Sequence, residues 1–92
     1  MIIYADEADV LNVALFGITA REWRAKNPDK VGNIRDYSSI EQLLVLANME
    51  SINAEFIRMG LHQKDRLLRL NQTAIVQIKS LMTSIGLKKV GQ

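Results

Sequence analysis

SSIEQLLVLANMESINAEFIRMG, residues 38–60, decides the fold. Ser38 with Glu41 makes the Ser-x-x-Glu pattern in which each side chain satisfies the other residue's backbone amide at a helix start; Ser39 is the alternative first cap. No glycine or proline follows until Gly60, so one helix of about twenty residues, ending at Met59, is expected. At roughly 100° per residue, Leu43, Leu46, Ala47, Ala54 and Ile57 form one face. Val45, Met49, Ile52, Phe56 and Met59 form an adjacent one, leaving Asn48, Ser51, Glu55 and Arg58 on a narrow polar strip. An apolar arc of roughly 240° must be covered on most sides, by the rest of the chain or by a partner.

Working outward, Gly60 separates this helix from a second long one over residues 63–85, with Leu67, Leu70, Ala74, Ile75, Ile78, Leu81, Met82 and Ile85 on its inner arc. The short link favours an antiparallel hairpin. Gly86 is the expected stop, and residues 86–92 are expected to fray. Before the hairpin, Asp6 can cap a helix running to Phe16, where Gly17 ends it. Thr19 and Glu22 form a capping box for a short helix over residues 20–26, and Asn27-Pro28 ends that one. Residues 28–37 connect it to the hairpin, and residues 1–4 can form an extended arm. The expectation is one all-α domain over residues 1–92, two short N-terminal helices packed on a long antiparallel helical hairpin.

The apolar surface on the central helix exceeds what one partner helix covers, so a homodimer is expected, with Val45, Met49, Ile52, Phe56 and Met59 at its interface. The alternative is that the first two helices, with Leu11, Leu15, Phe16, Ile18 and Trp23, cover the same face.

At 92 residues the chain suffices for one small core and is too short for two. It has no cysteine and a single histidine, His62, which leaves no thiol nucleophile, disulfide framework or usual zinc ligand set. No Gly-rich phosphate loop occurs, and the serines lie in caps or on helices far from His62. No catalytic residue, cofactor or metal is expected. The absence of a membrane-length apolar run and the acidic N-terminus suggest a cytoplasmic protein.

The net charge of +2 is unevenly spread: residues 1–56 carry nine acids and five bases, whereas residues 57–92 carry Asp65 alone against seven bases. Arg66, Arg69 and Lys79 make a basic face that can meet phosphate. The first two helices also have a helix-turn-helix outline, in which Arg21 and Arg24 would contact DNA. Glu50 sits amid the first apolar face of the central helix, where a carboxylate needs partners. Asn53 and Asn71 are the expected hydrogen-bond partners and Arg24 or Arg35 the expected cation, forming a buried polar network that fixes register. In the connector, Gly32-Asn33 fits a turn needing positive φ, and Arg35 can reach Glu50 or Asp9.

LFGITAREWRAKNPD (15–29), GNIRDY (32–37) and QLLVLANMESINA (42–54) resemble the region C-terminal to the KilA-N domain in proteins of phages and mobile elements. There, an EADVLNVALFG stretch leads into a TA-x-x-W motif, a GNIRDY turn and a helical tail; the resemblance covers Tyr4 to Leu81. It implies no catalytic residue. It implies a non-enzymatic interaction or oligomerisation module of a DNA-associated protein, its partner a second copy, another protein or the KilA-N domain of a longer gene product. In that family the KilA-N domain carries DNA binding. Direct DNA contact by this chain is the alternative.

Overall fold

A computed structural model describes the backbone of residues 6–90 and the side chains of residues 6–83. The described backbone is all helical: α1 (Glu7–Phe16), α2 (Ala20–Lys26), a single 3-10 turn (Ile34–Tyr37), α3 (Ile40–Arg58) and α4 (Gln63–Val90). The arm over residues 1–4 lies outside the described residues.

Side chains and backbone punctuate the elements locally. Asp6 accepts from the Ala8 amide at 2.8 Å to start α1, and Gly17 ends it in the left-handed conformation, φ 79°. Thr19 and Glu22 form the full capping box of α2. The Thr19 amide also holds the Glu22 carboxyl below the ordinary carboxylate range. At α3 the cap is one residue later than the expected Ser38–Glu41 pair: Ser39 and Gln42 satisfy each other's amides at 2.8 and 3.1 Å. Ser38 is unavailable because its hydroxyl donates to the Ile34 carbonyl at 2.8 Å, closing the 3-10 turn. Past Gly86, α4 continues to Val90 instead of stopping. One glycine inside a helix costs about 1 kcal/mol relative to alanine and removes no hydrogen bond, so it need not break the ladder.

α4 is the organising element. α1 and α3 both pack along it, and Val10, Leu11, Ala14, Val45, Leu46, Met49, Leu70 and Ala74 form the shared core. Near the turn Arg66 bonds Asn53, and farther along Asn48 donates to Gln77 at 3.2 Å. Ile75 and Met82, expected to face inward, are 52% and 58% exposed. α2 packs chiefly against the 3-10 turn rather than on the long helices. Trp23 is buried there, its ring centroid 5.5 Å from that of Tyr37.

Candidate functional site

The deepest polar chemistry lies where α1, α3 and the start of α4 meet. Arg66 is buried, and a buried guanidinium is costly unless its donors are matched. Its Nε donates to the Leu61 carbonyl at 3.1 Å. One terminal nitrogen bonds both Glu7 and Asn53 Oδ1, the latter at 2.8 Å. The other reaches Glu7 Oε2 at 3.1 Å. Asn53 Nδ2 completes the ring by donating to Glu7 Oε1 at 2.9 Å, and Gln63 adds a bond at 3.3 Å. Hydrogen bonding to Arg66 lowers the Glu7 carboxyl from 4.5 to about 2, against the opposing effect of burial. The guanidinium on α4 thereby ties down α1, α3 and the link between the long helices. The chemistry is structural: each nitrogen of the guanidinium, both carboxylate oxygens of Glu7 and both ends of the Asn53 carboxamide are bonded to neighbours within the fold.

A second polar group is local. In the connector Gly32 adopts φ +95°, and a Cβ there would collide with Asp36 Oδ2. That oxygen accepts from the Asn33 amide at 2.8 Å, while Asn33 Oδ1 accepts from the Arg35 amide at 2.9 Å. Arg24, stacked over Trp23 at 4.9 Å, donates to the carbonyls of Asn27, Lys30 and Gly32. The Tyr37 hydroxyl donates to the Val31 carbonyl at 2.7 Å.

These two groups correct several sequence expectations. Glu50 is exposed and belongs to no buried network; its partner is Arg35, at 3.6 Å. The buried carboxamide of Asn53 serves Glu7 and Arg66 instead, and Asn71 donates to the Ala14 carbonyl at 2.8 Å, tying α4 to the end of α1. Of the proposed nucleic-acid contacts, Arg24 is consumed by the connector and Arg66 by the core. Arg21, Arg69 and Lys79 stay exposed, on separate elements or well apart on α4, with Arg69 6.0 Å over the Phe56 ring. Glu7 and Gln63 were not singled out from sequence. Glu7 reads there only as an acid in a first helical turn, the ordinary place for one.

The proposed interface is also redrawn. Val45 and Met49 are fully buried against the other helices, which removes them from any surface. Ile52 and Phe56 are half-buried, packed against the same core, and Met59 alone of the five is exposed. The physical reason is the rotation of α3. Asn53 must face Arg66 and Glu7, and the residues flanking it on the helix surface, Met49 and Phe56, turn inward with it.

Large apolar side chains also remain outside, among charged and polar ones. Eight of the eleven large apolar side chains exposed among the described residues are on the two long helices: Ile40, Leu43, Leu44 and Ile57 on α3, and Leu68, Ile75, Val76 and Met82 on α4. Between these helices runs a groove with a hollow of about 430 Å³ bordered by Phe56, Arg69, Thr73 and Val76. Buried Asn12 borders another cleft, of about 360 Å³, beneath Asn33 and Arg35, and its Oδ1 has no hydrogen-bond partner among the described residues.

Among the described residues no group of three or more His, Asp or Glu side chains is placed to hold a metal ion, and no helix is long and apolar enough to cross a membrane. In comparisons with protein-family models, with curated proteins and with solved structures, nothing matches this chain.

Proposed function

We propose that the chain is a non-enzymatic helical interaction module of a DNA-associated phage or mobile-element protein, docking a partner through the apolar surface left on α3 and α4. In this reading the two long helices form an antiparallel hairpin, and α1 locks its inner side so that its outer side can be used. The observation that carries it is the uncovered apolar area. Soluble monomers seldom leave large apolar side chains grouped along two helices without a use. The DNA-associated setting rests on the likeness of this chain to the region that follows KilA-N domains.

Direct DNA reading is the weaker alternative. A recognition helix needs free side chains at its N-terminal end, and in α2 Arg24 is spent on three carbonyls. Selection from random duplexes at physiological salt tests the choice. The module reading expects no enriched site, with only weak binding that fades steeply as salt rises. An enriched site whose affinity is lost in Arg21→Ala would overturn it in favour of groove recognition by α2.

A further inference from the structure

The cleft of about 360 Å³ between α1, the start of α2 and the connector shares no lining residue with the groove beside Phe56. Asn12 lines it from below, 4% exposed, and its carboxamide makes no hydrogen bond with any described residue. Buried carboxamides ordinarily have partners, and one left without them destabilises the fold. Oδ1 is sealed off on the inner side, which leaves Nδ2 as the end that meets the cleft. Nothing among the described residues accepts from it.

The rest of the lining complements that donor. Ala8, Ala20 and Ile34 supply short apolar walls, and Arg35 lies opposite them. No carboxylate among the described residues borders the cleft. Nearby acids are engaged elsewhere: Asp9 accepts from the Ala20 amide at 3.2 Å and Asp36 from the Asn33 amide at 2.8 Å. Glu50 lies 3.6 Å from Arg35, beyond the roughly 2.7–2.9 Å of a charge-assisted hydrogen bond, so the guanidinium keeps donors to spare. The cleft thus presents a buried neutral donor and a half-exposed charged one, with no acceptor carrying charge between them.

We propose that this cleft binds a small organic carboxylate. Its carboxylate accepts from Asn12 Nδ2 and from the Arg35 guanidinium, and its short hydrocarbon body lies against Ala8, Ala20 and Ile34. A planar guanidinium takes a carboxylate through two parallel bonds, a geometry that Glu50 does not reach. A bare inorganic ion would leave the apolar walls facing water, whereas a ligand of several carbons covers them. The ligand displaces Glu50, so the protein's own acid competes for the site. Occupation of the cleft is independent of docking through α3 and α4.

Titration of the isotope-labelled chain with sodium butyrate to about 50 mM, at constant ionic strength, tests this by amide and side-chain NMR shifts. Saturable shifts are expected at the Asn12 side chain and at Ile34 and Arg35, half complete at about 1–10 mM, as a ligand of this size allows. Butyramide, which has the same shape without the charge, should bind about tenfold more weakly. Asn12→Leu removes the donor and the unmatched carboxamide together, and should weaken butyrate about tenfold. Arg35→Gln should do the same, whereas Glu50→Gln should tighten binding about threefold by removing the competitor. Shifts that never saturate, equal binding of butyramide, or butyrate binding unchanged in Asn12→Leu would overturn the proposal. So would binding of inorganic phosphate where butyrate does not bind. If Asn12→Leu loses its helical circular dichroism, Arg35→Gln and Glu50→Gln decide, since neither residue is in the core. Opposite changes in affinity are expected, and changes of one sign, or none, overturn it.

Discussion

The two sides of α3 have similar apolar content and opposite fates. Val45, Leu46 and Met49 are in the core, whereas Ile40, Leu43, Ala47, Ala54 and Ile57 are exposed. What separates them is the polar residue each side carries. Asn53, on the inner flank, meets a buried arginine and the carboxylate of Glu7. Glu50, on the outer side, meets a half-exposed arginine across 3.6 Å. An apolar arc wider than one neighbour can cover leaves the helix free to rotate, and the buried cation settles the rotation, because its donors must all find acceptors.

The largest effect expected from this contrast concerns the two arginines. Arg66→Ala leaves the Leu61 carbonyl and Asn53 Oδ1 without their donor and should cost about 3 kcal/mol in denaturant unfolding. Arg35→Ala removes an exposed partner of Glu50 and should cost less than about 1 kcal/mol. Equal losses would break the distinction between an inner and an outer ion pair.

Acid sharpens it further. The Glu7 carboxyl is lowered from 4.5 to about 2 by Arg66. A carboxyl depressed in the folded state contributes stability that is complete above its unfolded value and is lost as pH falls through its folded one. Unfolding midpoints should therefore drop between pH 4.5 and about 2, and Glu7→Gln should flatten that segment. The Glu7 side chain is 43% exposed, so solvent screening limits the contribution to about 1–2 kcal/mol. A slope unchanged in Glu7→Gln would assign it to other carboxylates.

Much of the fold was legible in the sequence because helix ends are written locally. Asp6, Gly17, Thr19 with Glu22, and Gly60 each act within a few residues of their own position, and so does the Gly32–Asp36 turn. The partners of the inner cluster are 46 and 59 residues apart along the chain. A helical wheel orders residues around one axis and says nothing of which side another helix approaches. The wheel therefore puts Glu50 in the interior and offers Val45 and Met49 to a dimer interface. Arg66 was read as a phosphate contact for the same reason: at its position a charged residue ordinarily faces water.

Local and long-range contributions can be compared directly in the connector. Gly32→Ala forces a positive φ on alanine and sets its Cβ against the Asp36 carboxylate, and should cost about 2 kcal/mol in thermal or denaturant unfolding. Gly17→Ala meets open space and should cost about 1 kcal/mol, from backbone conformation alone. Equal values would mean that the Asp36 side chain gives way freely. Smaller still, Ser39→Ala should cost about 1 kcal/mol and Ser38→Ala about half of that, since only Ser39 caps α3. The reverse order would restore the Ser38 cap.

The claim on which both the fold and the docking surface depend is that α3 turns Met49 inward and Ala54 outward. Thiol labelling of Met49→Cys and Ala54→Cys chains, diluted well below micromolar concentration, tests it without altering any charge. The cysteine at position 54 should react as fast as in an unfolded peptide, and the one at position 49 at least about 100-fold more slowly, because it must wait for the core to open. Free reaction at position 49 with protection at position 54 would place the other face of α3 inside and contradict the account.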